Sequence, residues 1–324
     1  MQAAVYHRYG SPDALELQEI PKPLPAEDQV LIQVHAASVN PYDWHFMRGT
    51  PSFIRLMTGI RRPKFPRLGA DVAGVVEAVG AKVTAFKPGH VVFGMAKGAF
   101  AEFACADGSQ LVEKPPEISF EQAACLPIAG ITALQGIRDK AKVQSGQTVL
   151  INGAAGGVGT FAVQIAKSLG AHVTGVCSTT NVELVRSIGA DKVIDYTRED
   201  FARSTERYDL LFDLVGNRAL ADCLCTVQPH GTYIACGGGG PDRSSASLLT
   251  QMLGNAIRAR FTSRKMPGLF AKINREDLNL LADLVEEGKV KPVIERTYSL
   301  SEVADAVRHV ESGHTRGKVV IAVG

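Results

Sequence analysis

From Asn152 to Gly159 the chain reads Asn-Gly-Ala-Ala-Gly-Gly-Val-Gly, and the residues on either side narrow what this run can be. Before it, Val149-Leu150-Ile151 is an aliphatic stretch of the kind that forms a buried strand. After it, Val158, Phe161, Ala162, Ile165, Ala166 and Leu169 recur at helical spacing, and Gly170 ends the periodicity. A strand, a glycine turn and a helix in that order place backbone N–H groups at a helix N-terminus, where they can face a pyrophosphate. Ala154, Ala155, Gly156, Gly157 and Val158 are the candidate cradle. The pattern is AxGxxG, with Ala154 at the first glycine position, and the plain alternative is a tight strand-to-helix turn. The further strand at His172 to Cys177 favours dinucleotide binding.

Downstream, a helix over Asn181 to Ile188 and strands at Lys192 to Ile194, Leu210 to Leu214 and Thr232 to Cys236 continue the alternation. Such alternation predicts a doubly wound parallel sheet with helices on both faces. Upstream, the first 115 residues read as short strands separated by Pro and Gly, an all-β-like lobe. The texture changes near Lys114-Pro115-Pro116, and Ser119 opens a helix that runs towards Pro127. Residues 241–268 read as a loop with a short helix. Asp277 to Glu287 and Glu302 to Glu311 are predicted helices, and Lys318 to Ile321 a strand. At 324 residues the chain is about twice an ordinary domain, so two lobes are expected.

Thirty-five Lys plus Arg against thirty-three Asp plus Glu leave a net +2, too balanced to predict a grip on nucleic acid or an anionic membrane. No apolar run approaches the ~20 residues of a membrane span, and strand-like alternation begins almost at Met1, so a cytoplasmic protein is expected. The six cysteines form no CxxC pair and are read as reduced thiols.

An NAD site expects Asp or Glu at the end of the second strand of such a unit. Here Cys177 stands at that point, followed by Ser178, Thr179 and Thr180. A carboxylate repels a 2′-phosphate, whereas hydroxyls donate to it, so NADPH is favoured over NADH. The Tyr196 hydroxyl is expected to help. No Arg or Lys lies in Cys177 to Asn181, so any balancing charge comes from elsewhere. Val215 and Gly216, and Gly237, Gly238 and Gly239, end strands at the carboxyl edge where cofactors lie, with ordinary loops as the alternative. Thr132 is a candidate for the nicotinamide end, or a helical Thr bonded back to a carbonyl.

The runs Gly69-Ala70-Asp71-Val72-Ala73-Gly74, Lys87-Pro88-Gly89, Asn152 to Gly159, Gly189-Ala190-Asp191 and Asp213-Leu214-Val215-Gly216 together resemble the medium-chain dehydrogenase/reductase superfamily. Ser38-Val39-Asn40-Pro41-Tyr42-Asp43-Trp44 and Gly313 to Lys318 are similar to its zinc-free quinone oxidoreductase branch, which includes chloroplast-envelope homologues and alkenal/one oxidoreductases. The resemblance implies an α/β architecture: a GroES-like, mostly-β catalytic domain (1–124), a Rossmann doubly wound parallel-sheet domain (125–264), and a C-terminal return to the catalytic domain (265–324). It also implies an active site in the cleft between lobes, and it admits a homodimer. Zinc-dependent relatives carry Cys and His ligands where this chain has Asn40 and Ala70, with Cys125 near the third position. The stretch matching their structural zinc site, Gly94 to Asp107, contains only Cys105, so neither metal is expected.

Without metal, a nicotinamide hydride can add to a conjugated enone or a quinone, provided the site hydrogen-bonds the developing oxyanion and a proton is supplied. The resemblance points to Asn40, Tyr42, Asp43 and His45 as catalytic candidates, and to Gly317 and Lys318 as a cofactor-facing pair. Bland alternatives stand beside them: Asn40-Pro41 as a turn, Asp43 as a helix cap, Tyr42 packed at a rim, and His45 and Lys318 with no role. The expected function is NADPH-dependent reduction of an enone or quinone. The competing readings are a non-catalytic nucleotide-binding protein of crystallin-like or RNA-binding type, a zinc alcohol dehydrogenase, and an enoyl reductase.

Overall fold

A computed structural model describes residues 1–237 and 262–324. Most of the loop expected at 241–268, together with Gly238 and Gly239, lies outside the described residues. The chain divides into two compact units, one formed by Met1–Ile131, Lys272–Glu287 and Pro292–Gly324, the other by Thr132–Ala271 and Gly288–Lys291.

In chain order the first unit contributes β1 (Gln2–Val5), β2 (Glu16–Glu19), β3 (Gln29–Val39), β4 (Asp71–Val79), β5 (Val91–Met95), β6 (Phe103–Asp107) and β7 (Leu111–Glu113). The second contributes β8 (Thr148–Asn152), β9 (His172–Cys177), β10 (Lys192–Asp195), β11 (Tyr208–Asp213) and β12 (Val227–Ala235). The chain then returns to the first unit with β13 (Ile294–Ser299) and β14 (Lys318–Ala322).

The first unit is the mostly-β, GroES-like lobe, its main sheet ordered β13-β14-β3-β4-β5-β7 with β6 also paired to β3. Val30, Ile32, Val34, Val72, Val76, Phe100 and Ile321 meet in its core. β14 runs antiparallel to β3 with Val319 opposite Val39, which seats Lys318 beside the end of β3. The all-β expectation for this stretch is too simple, because helices occupy Pro41–Arg48 and Ile54–Thr58. The first of them starts where a turn is one reading of Asn40-Pro41. Asn40 is extended, Pro41 fills the first helical turn, and the Asp43 side chain reaches back to the Asn40 N–H, a capping box.

The second unit is a parallel sheet in the order β10-β9-β8-β11-β12, with the central β8 paired to both β9 and β11. The helix Gly157–Ser168 buries Phe161, Ala162, Ile165 and Ala166, four of the residues whose spacing predicts it. Strand order reverses between β8 and β11, so their carboxyl ends form the switch point of the doubly wound sheet.

Candidate functional site

At the end of β8 the chain turns through Gly153 into a helix whose N-cap is Gly156, in extended conformation and with no side-chain cap. Two glycines have different tasks. A Cβ on Gly159 would lie 2.1 Å from the Gly153 carbonyl oxygen, so this glycine lets helix and turn touch. A Cβ on Gly156 would meet only that same oxygen, at 3.5 Å, and otherwise point into open space. The Ala154 N–H is already donated to Val176 at 3.0 Å and the Gly156 N–H to Gly153 at 3.1 Å. Among the described residues the N–H groups of Ala155, Gly157 and Val158 have no acceptor. Three free donors beside an open glycine at the positive end of a helix suit a pyrophosphate.

Across the switch point, Asp213 ends β11 fully buried. Its Oδ1 accepts from Asn152 Nδ2 (2.8 Å), Gly216 N (2.9 Å) and Val215 N (3.2 Å), and its Oδ2 accepts from the Tyr233 hydroxyl (3.1 Å). Asp213 thus shapes the Val215-Gly216 turn, in which Gly216 has φ +66°. It is absent from the sequence-based candidates, although its place at a strand end in Asp-Leu-Val-Gly was a signal. Gly237 packs on that turn, since a Cβ there would sit 2.2 Å from the Leu214 carbonyl.

The parallel register sets Cys177 beside Asp195, so the ends of β9 and β10 build one rim. Thr179 is spent within it, donating to Asp195 at 2.6 Å. Ser178 lies 3.1 Å from Thr180, both oxygens near the surface, and Tyr196 is half exposed. The cation missing from 177–181 is Arg198, three-quarters exposed and 3.4 Å from Asp195. The Thr179 hydrogen bond and then Thr197 and Arg198 hold the Asp195 carboxyl below its usual range. Sequence reasoning missed Arg198 although its i,i+3 spacing to Asp195, at the end of the strand that precedes the Tyr196 candidate, was a signal.

Within the first unit, Lys318 is almost fully buried. Its Nζ donates to Asn40 Oδ1 (2.6 Å) and Val39 O (3.3 Å), and stands 3.6 Å from Asp71. Asn40 Nδ2 donates to Asp71 Oδ2 (2.8 Å) and the Ser38 carbonyl (3.2 Å), so both of its amide hydrogens are committed. The donor-only ammonium and the acceptor-only carboxylate fix which way the amide points. Asp71 also accepts from the Ser38 hydroxyl (2.7 Å) and Ile128 N (3.0 Å), and burial raises its carboxyl despite Lys318. Asp71 is the second group the sequence-based candidates omit.

Asp43 accepts Asn40 N (2.8 Å) and Gly69 N (3.1 Å), and burial carries its carboxyl up to about 7. His45 stacks on Trp44 and uses Nδ1 on the Thr50 carbonyl at 2.8 Å, and burial lowers its basicity. Tyr42 stacks on Phe46, and among the described residues its hydroxyl has no hydrogen-bond partner. Thr132 is buried in the helix Pro127–Leu134. Gly317 precedes Lys318 with φ +78°, its Cβ position blocked by Val293.

The donor set around Asn40 does not suit zinc. Cys125 is buried, burial pushes its thiol up to about 12, and it donates to the Glu121 carbonyl at 3.1 Å. Asn40 Oδ1 is already engaged by the Lys318 ammonium, which also stands 3.6 Å from Asp71, so these oxygens face a cation of the chain itself. Among the described residues no three His, Cys, Asp or Glu side chains gather as a metal site.

Residues 26–116 match the alcohol dehydrogenase GroES-like domain family, and residues 188–321 the zinc-binding dehydrogenase family. The chain is 35% identical to the mitochondrial NAD(P)H oxidoreductase RTN4IP1 of Mus musculus, over 100% of this chain and 89% of that protein. It is 34% identical to the chloroplast envelope quinone oxidoreductase homolog of Arabidopsis thaliana, over 99% and 98%. Among solved structures, the quinone oxidoreductase of Coxiella burnetii superposes with a TM-score of 0.87 at 33% identity, covering 100% and 99% of the two chains. The Escherichia coli quinone oxidoreductase complexed with NADPH gives 0.83 at 26%, over 99% and 100%.

Proposed function

Because the chain belongs to the quinone oxidoreductase branch of the medium-chain dehydrogenase/reductase family, we propose that it is an NADPH-dependent, zinc-independent reductase of α,β-unsaturated carbonyls or quinones. The observation that carries the cofactor choice is the rim at β9 and β10, where Ser178, Thr180, Tyr196 and Arg198 offer three hydroxyls and a guanidinium to a 2′-phosphate, the Asp195 carboxylate there being engaged by Thr179, Thr197 and Arg198. The N–H groups of Ala155, Gly157 and Val158 would hold the pyrophosphate. A relative from Solanum lycopersicum named 2-methylene-furan-3-one reductase, 35% identical over 99% of this chain and 79% of that protein, supports an activated alkene as acceptor.

When bound, the reduced nicotinamide supplies a hydride to the acceptor's β-carbon. The chain's own task is to hold the acceptor's oxygen as negative charge grows there. Of the four sequence candidates, Tyr42 alone keeps a free donor, and its hydroxyl is assigned to that oxygen. Asn40 and Asp43 act as framework, holding the helix start that carries Tyr42. Water supplies the α-carbon proton, since burial favours the neutral imidazole of His45, whose Nδ1 is already engaged with the Thr50 carbonyl. The Lys318 ammonium replaces the metal as the positive charge beneath Asn40.

The test is turnover of a panel of enones, enals and quinones with NADPH and NADH in parallel, on protein of known zinc content. NADPH-preferring oxidation by metal-free protein is expected, and Tyr42→Phe should lower kcat by about 100-fold, as loss of an oxyanion donor does. Failure to oxidise either nucleotide with any acceptor would return the non-catalytic reading.

A further inference from the structure

The near-neutral total charge hides a strongly uneven distribution. Between Asp43 and Asp71 lie Arg48, Arg55, Arg61, Arg62, Lys64 and Arg67, with no Asp or Glu. These six cations exceed the net +2 of the whole chain, so the remainder is net negative. Three are satisfied inside the lobe: Arg48 pairs with Glu311, Arg55 donates to the Gly49 and Arg48 carbonyls and covers the Tyr9 ring, and Arg67 lies over Phe65. Arg61, Arg62 and Lys64 are exposed, and among the described residues none has a carboxylate partner.

The helix in the middle of this stretch, Ile54–Thr58, is amphipathic the wrong way round for a surface facing water. Its polar groups hold it to the lobe. Thr58 Oγ1 meets the Tyr9 hydroxyl at 2.7 Å, that hydroxyl also donates to Gly59 O at 2.6 Å, and Arg55 reaches back beneath. Its apolar groups point outward. Phe53, Leu56, Met57 and Ile60 are 50%, 72%, 78% and 71% exposed. The first three fall at i, i+3 and i+4, one side of a turn, and Ile60 follows just after Gly59. Scattered exposed aliphatics need no explanation, but four along one turn, next to three unpaired cations, call for an apolar partner with a negative boundary. An anionic lipid surface has that layering: phosphates at the level of the cations and acyl chains below them.

We propose that the segment from Phe53 to Lys64 docks this protein peripherally on anionic membranes, with Phe53, Leu56, Met57 and Ile60 entering the interface and Arg61, Arg62 and Lys64 lying among the phosphates. The contact spans nothing, as no helix among the described residues is long and apolar enough to cross a bilayer. It does not depend on the catalytic reading, because none of these side chains belongs to the cradle or to the Asn40–Asp71–Lys318 network.

The test is co-sedimentation of the full chain with phosphatidylcholine vesicles that contain, or lack, about one third phosphatidylglycerol. Binding only to the anionic vesicles, weakened by salt, is expected. Arg61→Gln with Arg62→Gln should reduce partition about 30-fold, since each surface cation contributes about fivefold. Leu56→Ser with Ile60→Ser should reduce it about tenfold, leaving thermal stability and turnover of a water-soluble acceptor unchanged. Absent binding, or equal binding to neutral vesicles, overturns the proposal. So does an apolar variant that loses a concentration-dependent oligomer instead, which would make a second copy the occupant, or one that loses turnover, which would make the stripe part of the substrate site. RNA binding that survives the apolar variant while vesicle binding is absent would assign the cations to nucleic acid.

Discussion

At Asp43, burial favours the protonated acid while two backbone N–H donors favour the anion, and burial wins, placing the group near 7. Asp71 nearby raises it and Lys318 lowers it. A folded-state value above the unfolded one means the native chain holds a proton that the unfolded chain releases. The associated stability is full below the unfolded carboxylate range and is lost as pH climbs to about 7. Between pH 5 and 8 this amounts to about 2–3 kcal/mol at ~1.4 per unit. Asp43→Asn should therefore be less stable throughout yet flatter with pH, and denaturant unfolding at pH 5 and pH 8 measures the difference; an unchanged slope would remove Asp43 as the titrating group. Arg198 gives a second expectation at this scale. Arg198→Ala should raise the Kd for NADPH by about tenfold, the loss of one charge-assisted contact, and leave NADH within about twofold, as paired titrations would show. The local part of each environment is readable from sequence, the Asp43 cap on Asn40 and the Arg198–Asp195 pair each spanning three residues, but the contacts that surround Asn40 are not. Asn40 and Asp71 stand 31 residues apart and are joined by the β3–β4 pairing, while Asn40 and Lys318 stand 278 apart and are joined by the β14–β3 pairing.

At the scale of elements, the turn and helix from Gly153 to Ser168 were legible because their determinants are local: aliphatic strand residues, glycines and a 3.6-residue period all lie within twenty positions. The same locality explains why the β9–β10 rim was half seen. Ser178 to Thr180 and Tyr196 follow strand ends and could be named, while Arg198 stands one turn further on, where it pairs back to Asp195. The helix Pro41–Arg48 was obscured by its own cap, because Asn-Pro serves a turn and a helix start equally well. Within the cradle, the two glycines make separable predictions. Gly159→Ala drives a methyl group into the Gly153 carbonyl and should destabilise the fold by about 3 kcal/mol or more, through overpacking that neighbouring backbone cannot relieve. Gly156→Ala meets only one atom at ordinary contact distance, so its melting temperature should stay within a degree or two while NADPH affinity falls by about tenfold or more. Equal thermal losses in both variants would mean that Gly156 has a packing task and that its open side is not where the pyrophosphate lies.

For the whole molecule, the two units divide the chemistry by the kind of charge each can offer. The parallel-sheet unit presents partial positive charge from a helix terminus and uncommitted amides, suited to phosphates that come and go. The GroES-like unit presents a full charge, Lys318, locked between a carbonyl, an amide and a carboxylate, suited to a permanent field. A ligand that binds only the native second unit must stabilise the chain by mass action, about 2.7 kcal/mol at a hundredfold excess over its Kd. In a molecule of this size that is several degrees of melting temperature. NADPH is therefore expected to raise the transition more than NADH at equal concentration, and Arg198→Ala to abolish the difference. On the zinc-independent reading proposed above, with Lys318 as the positive charge beside Asn40, a metal chelator should shift neither the transition nor the turnover. If chelation halves activity and added zinc restores it, the ammonium does not fill that place, and the role given to Lys318 falls while the nucleotide cradle stands.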